Sequence, residues 1–320
     1  MFRIVLPCAL LASLFLLPAA SPSRQDPTQV ELQVVELTDK LSVIMGMGGN
    51  IGVYHGSDGV LMVDDQFASL SDRILAKLAT ISDGDLRFLV NTHWHWDHSE
   101  GNENMAAAGA LIVAHENVRA RMSVDQVMPA FNRTVEASPE SALPVITYAD
   151  GLSFHWNGGR VNLKHMGAGH TDGDSIVHFV DENVLHTGDL FFHGMLPFID
   201  LGSGGSVDGM IDGVRSALAL ANDDTQIIPG HGPVASKADL QTYLDMLVDV
   251  RTRLNSNLEA GFTVEELVAF KLLKHLEADY GGGFMSVDQF TGIAASSLLR
   301  AMNAREAGDA ALSDTDSEQG

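Results

Sequence analysis

The stretch Asn91–Gly101 reads N-T-H-W-H-W-D-H-S-E-G, directly after the apolar run Phe88–Val90. Four side chains that bind metals, His93, His95, Asp97 and His98, fall within six residues at the end of a short buried strand. A spacing of two on extended backbone lets His93 and His95 reach one point. Asp97 and His98 follow at a turn and can aim at a second ion. A rigid strand that ends in a ligand-bearing loop is where chemistry is usually placed. Any fold for this chain must present that loop at a sheet edge.

Composition narrows the donors. The chain has 320 residues with 13 His and one Cys, Cys8, so disulfide frameworks and Cys-ligated zinc are excluded. A metal site must use His and carboxylates. Hydrophobic residues at 45% and charged residues at 19% describe a globular chain able to bury a sizeable core. The net charge of −23 argues against a nucleic-acid partner and against an anionic membrane surface.

Three further donors lie downstream beside glycines: His170 in G-A-G-H-T-D-G-D-S, Asp189 in H-T-G-D-L-F-F and His231 in I-I-P-G-H-G-P. Alone each reads as a turn residue. With the cluster they make seven donors, all His or Asp. Short β-rich runs at Val30–Glu36, Leu41–Met45, Ile51–His55 and Val60–Val63 precede a helical pattern at Phe67–Leu78. The second half repeats the style with strands at Leu152–Trp156, Val161–Met166, Ser175–Val180 and Val184–Thr187, a helix at Val207–Leu220 and a short strand at Ile227–Ile228. Helical patterns follow at Lys237–Arg253, Phe262–Leu276 and Gln289–Met302. This alternation implies an α/β (α+β) fold of two mixed sheets packed face to face with helices outside.

These motifs, in this order, together with Gly48–Gly52 and Val63–Asp65, resemble the metallo-β-lactamase-fold hydrolase superfamily over roughly Val30 to Gly232. The resemblance implies a four-layer αβ/βα sandwich with metals at one sheet edge and two Zn2+ per chain, with iron or manganese as alternatives. It implies that His93, His95 and His170 hold one metal, that Asp97, His98 and His231 hold another, and that Asp189 bridges them. Asp64 matches a motif that supports the site. The chemistry of such donors is hydrolysis by a metal-bridging hydroxide, with Asp97 orienting it and passing its proton onward.

The complete donor set is similar to that of thioesterases, lactonases and related exported β-lactamase-like enzymes. β-Lactamase subclasses place Cys at the Asp189 position or lack a bridging acid there. The expected activity is cleavage of a small ester, thioester, lactone or amide, with β-lactam hydrolysis as the alternative. A persulfide dioxygenase with one iron is the alternative of another class, and a zinc carrier is the non-enzymatic one.

Trp94 and Trp96 are expected under the loop, and His115 and His186 as structural residues. Phe192, His193 and Met195, after the bridging Asp, are expected to line a substrate pocket. Gly202–Gly205 reads as a flexible loop near the site. Residues 1–23 have the layout of a secretory signal, since the apolar run Ile4–Leu17 is short of the ~20 residues of a membrane span. The expected layout is then a catalytic domain over 28–235, a packed helical portion over 236–303 and a disordered acidic tail over 304–320. A periplasmic location, a small-molecule substrate and no membrane contact beyond the signal follow; the oligomeric state is left open.

Overall fold

The computed structural model describes residues 29–317; the expected secretory signal lies outside them. The chain opens with β1 (Gln33–Thr38), β2 (Leu41–Met45), β3 (Ile51–Gly56) and β4 (Gly59–Val63). Helix α1 (Ser71–Ile81) leads to β5 (Leu86–Val90), which ends at the histidine-rich loop. Then come α2 (Trp96–Ser99), α3 (Asn102–Ala107), β6 (Leu111–His115) and α4 (Glu116–Met122), followed by a hairpin of β7 (Gln126–Met128) and β8 (Arg133–Val135), and then β9 (Ile146–Tyr148). The first sheet has the order β1-β2-β3-β4-β5-β6-β9. It is antiparallel up to β4 and parallel from β4 to β9. Among the described residues the hairpin pairs only with itself.

The second half supplies β10 (Gly151–Trp156), β11 (Gly159–His165), β12 (Ser175–Phe179), β13 (Val184–His186), α5 (Val207–Leu220), β14 (Gln226–Ile228) and β15 (Ala235–Ser236) in one six-stranded sheet backed by α5. Helices α6 (Lys237–Glu259), α7 (Val264–Ala269), α8 (Glu277–Tyr280) and α9 (Val287–Ser317) complete the chain.

Alternation along the strands builds the layers. Successive side chains of a strand point to opposite faces. Thus Leu41, Val43, Leu61 and Val63 face Val161, Leu163, Val177 and Phe179 across the gap between the sheets. Their neighbours Ile44, Val60 and Met62 face the other way, onto Ile74 and Leu78 of α1. Ile176, Leu185 and Ile227 turn outward from the second sheet, under α5, α6 and α9. The result is the four-layer sandwich that the sequence implies, with helices on both outer faces.

Several elements differ from the sequence reading. The pattern over Phe262–Leu276 is not one helix. A capping box of Thr263 and Glu266 starts α7, which ends at Ala269, and Lys271 then turns with φ +54°. The tail expected to be disordered from 304 is instead a continuation of α9, which runs to Ser317. Extending a helix already nucleated at Val287 costs far less than starting one, and Ala-rich sequence favours extension. Among the described residues no helix is long and apolar enough to cross a membrane.

Candidate functional site

Strand ends deliver the seven donors. His93, His95, Asp97 and His98 follow β5, His170 lies between β11 and β12, Asp189 follows β13, and His231 follows β14. The fold brings all seven together in two neighbouring groups: His93, His95, His170 and Asp189, all buried, and Asp97, His98 and His231, of which only His98 is fully buried. His170 Nε2 and His95 Nδ1 lie 2.7 Å apart, and His98 Nε2 and His231 Nε2 lie 3.3 Å apart. Asp189 stands between the groups. Its Oδ2 is 3.4 Å from His170 Nε2 and 3.9 Å from His93 Nε2, while its Oδ1 is 3.0 Å from His98 Nε2 and 3.5 Å from His231 Nε2.

The outer nitrogens explain why the inner ones are free. His170 Nδ1 donates to the Phe198 carbonyl at 2.7 Å, His95 Nε2 to Asp200 at 3.2 Å and His98 Nδ1 to Asp64 at 2.8 Å. His93 Nδ1 lies 3.0 Å from Thr92 Oγ1, whose hydroxyl proton goes to Asp64 at 2.8 Å. Each bond fixes a ring and a tautomer, as partners behind metal-binding imidazoles do. Asp64 also accepts from Thr92 N at 2.8 Å. It sits at φ +60°, a left-handed conformation that Asp tolerates better than most residues. Asn50 ties the other side down, donating to the carbonyls of Pro229 and Gly232 around His231. Gly230 is required by space, because a Cβ there would lie 2.0 Å from Asp189 Oδ1.

The residues fit a metal. His93 Nε2 is buried with no hydrogen-bond partner among the described residues. Burial, and then the charge of His98, push the His93 imidazole well below its ordinary pKa, leaving a lone pair aimed into the cluster. Burial likewise takes His170 down to about 4. Burial opposes charge on His231, but Asp189 and Asp97 outweigh it and raise its pKa to about 9. Burial opposes ionisation of Asp97 too, yet His98 and His231 hold it at about 2. The lone pairs of His93 and His170 and the ionised carboxylates of Asp97 and Asp189 converge in a buried space and suit a divalent ion of the zinc, iron or manganese type, which would displace the proton of His231 on binding.

A cavity of about 230 Å3 opens over the donors. Its apolar wall is Met47, Trp96, Met128, Phe131, Phe198 and Phe284. The expected pocket residues Phe192, His193 and Met195 do not line it. Phe192 is fully buried and stacks beneath His231, with ring centroids 5.3 Å apart. His193 points the other way, its Nδ1 on the Pro233 carbonyl at 2.9 Å. Met195 lies against the backbone of Gly283. The segment after Asp189 turns at Gly194, φ +76°, instead of running extended along the cavity, and only Phe198 of that apolar run reaches it. Trp94 is buried as expected and donates to Ser203 Oγ, whereas Trp96 is a cavity wall. His186 is structural as expected, with Nε2 on the Asn50 carbonyl.

The sequence reading missed Asp200. Gly202–Gly205 is not a loose edge: Asp200 accepts from Gly202 N, Ser203 N and Ser203 Oγ, and the same carboxylate holds His95. Burial opposes its charge, but the bonds and charge of His95 and the Ser203 hydroxyl keep it at about 2. An Asp in Asp-Leu-Gly-Ser-Gly reads as an ordinary turn, so no local signal separates it from a cap.

The family model of the metallo-beta-lactamase superfamily matches residues 44–233, more than half of the chain. The chain belongs to that superfamily. A curated relative, the "Lactamase-like protein nscB" of Arthroderma gypseum, is 27% identical over 204 residues, which are 58% of this chain. The match spans 55% of that relative's length. A solved metallo-beta-lactamase from Pontibacter korlensis superposes with a TM-score of 0.56 at 17% identity, covering 68% of this chain and 99% of its own. The DIM-1 metallo-beta-lactamase gives 0.56 at 15%, covering 69% and 99%. At those identities the solved structures are alike in fold alone.

Proposed function

We propose that this chain is an exported dinuclear zinc hydrolase that cleaves a small ester, thioester, lactone or amide. His93, His95 and His170 would hold one ion, Asp97, His98 and His231 the second, and Asp189 both. The observation that carries this reading is the placement of Asp189, with one carboxylate oxygen toward each group of donors. A carboxylate so divided supports two ions over one.

Two zinc ions, when bound, supply Lewis acidity and a water nucleophile that is ionised near neutral pH. The chain's own residues do the rest. Asp64, Thr92 and Asp200 hold the imidazoles in orientation. Asp97 has 23% of its side chain exposed and lines the cavity, so it is placed to take the nucleophile's proton and pass it to the leaving group. Phe192 and Phe198, buried against His231 and His170, limit bulk water on that side of the donors. The apolar run at the N-terminus supports export to the periplasm, and the charge of −23 supports a small-molecule substrate rather than nucleic acid.

The test is a panel of chromogenic esters, thioesters, lactones and a cephalosporin, run before and after chelation and after zinc is restored. Chelator-sensitive turnover of an ester, thioester or lactone, returning with zinc, is expected. Cephalosporin turnover far above the rest would make the protein a β-lactamase. No hydrolysis by the zinc-loaded protein, with activity only on iron loading, would contradict the reading.

A further inference from the structure

We propose that Phe131 and Phe284 are aromatic walls of one cavity that select substrates carrying an apolar acyl group, and that the helical extension after the family-matched region is thereby part of the active site. The inference deepens the hydrolase reading and rests on it for the reaction. In that reaction water adds to the acyl carbon, the bond to the leaving group breaks, and the leaving group departs with a proton.

The two rings come from far apart. Phe131 lies at the turn of the self-paired hairpin, packed against Trp96 at 5.7 Å and Phe198 at 4.8 Å between ring centroids. Phe284 follows Gly281–Gly283, between α8 and α9, outside the matched span of 44–233. It reaches back over the donors, 6.0 Å from the His231 ring and 6.1 Å from Phe192. The loop can lie this close because a Cβ on Gly283 would meet Met195 Cβ at 2.8 Å. Met195 therefore supports the segment that carries Phe284, which gives it a place in the site one step behind the wall.

Both rings are large apolar groups left open, Phe131 at 40% and Phe284 at 53% of their surface, beside a reactive centre. Every charged side chain lining the cavity belongs to the donor set: His95, Asp97, His170, Asp189 and His231. Beyond them the lining is apolar. Arg133, the cation next to the cavity, has its guanidinium 4.2 Å over the Trp96 ring and is not part of the lining. A charged or strongly polar acyl group entering this space would lose its water without gaining partners. An apolar group would cover both rings. The cavity of about 230 Å3 is on the scale of a medium-length acyl chain.

The test uses straight-chain carboxylic acids of two to ten carbons as ligands of the zinc-loaded protein, read by tryptophan fluorescence, and the matching p-nitrophenyl esters as substrates. Affinity and kcat/KM should both climb about fourfold per methylene, the equivalent of ~0.8 kcal/mol, up to about eight carbons. F131A and F284A should flatten that slope, with losses that grow with chain length, and F284L should restore most of it. A flat profile for both acids and esters would overturn the inference. So would dicarboxylic acids that bind tenfold more tightly than their apolar homologues, which would make Arg133 the selecting group. Hydrolysis without chain-length dependence would reject the pocket and keep the hydrolase. Chain-length-dependent binding without any hydrolysis would reject the hydrolase and keep the pocket.

Discussion

The two donor groups are built differently. In the group of His93, His95, His170 and Asp189 every side chain is buried, and each imidazole is backed by Thr92, Asp200 or the Phe198 carbonyl. In the group of Asp97, His98 and His231 only His98 is wholly enclosed, on Asp64, while Asp97 and His231 keep 23% and 14% of their side chains open toward the cavity. The lesson is a division of labour. The buried group is a rigid anchor whose geometry is set before any ion arrives. The open group faces the cavity, and on the proposed reading an ion held there would be the more easily lost.

Predictions follow from that contrast, beginning with the anchor. His93→Ala removes a donor with no alternative partner. Metal retention and turnover should vanish together, as read by elemental analysis beside an ester assay, and full turnover would break the assignment. Asp97→Asn should instead leave one ion bound in the anchor while lowering kcat by about 10²–10⁴-fold, the range of a lost proton-transfer group. Loss of both ions in that variant would erase the contrast.

A third variant acts one layer out. Asp200→Ala touches no ion but frees His95, and should weaken binding at the anchor by about 10–100-fold in a competitive chelator titration. An unchanged affinity would mean that packing alone orients His95.

The smallest effect concerns acid. His115 stacks on His165 with centroids 3.7 Å apart, and His165 bonds the Asp174 carbonyl, whose own carboxylate accepts from His170 N. Burial, then the charge of His165, lowers the His115 pKa. The fold therefore prefers neutral His115, while the unfolded chain takes up a proton near 6.5. Stability from neutral His115 is complete above about pH 6.5 and declines as pH falls toward the lowered value. His165→Gln should lessen that acid sensitivity in melting curves taken across this range, and a steeper decline would reverse the sign.

How much of this was legible in the chain varies by the range of the interaction. The donors were legible because ligand-type residues at strand ends, beside glycines, are a local pattern with few structural uses. The layers were legible because alternation at Leu41–Met45 and Val60–Val63 is local as well. Asp200 was not, since its meaning depends on His95, more than a hundred residues earlier. Phe131 and Phe284 were hidden for the same reason: each is an exposed aromatic on a connection, and only tertiary packing makes them face one cavity. The segment after Asp189 misled because an apolar run tells that side chains are buried, not which surface they border. The tail misled because acidic composition outweighed the helix already running into it.

The most direct measurement is the metal content of the purified full-length protein, by elemental analysis against protein concentration, followed through a graded chelation. The account predicts two zinc ions per chain and two-stage loss, with the first ion leaving from the Asp97, His98 and His231 group. One iron per chain, or a single ion at saturation with Asp189 intact, would contradict it.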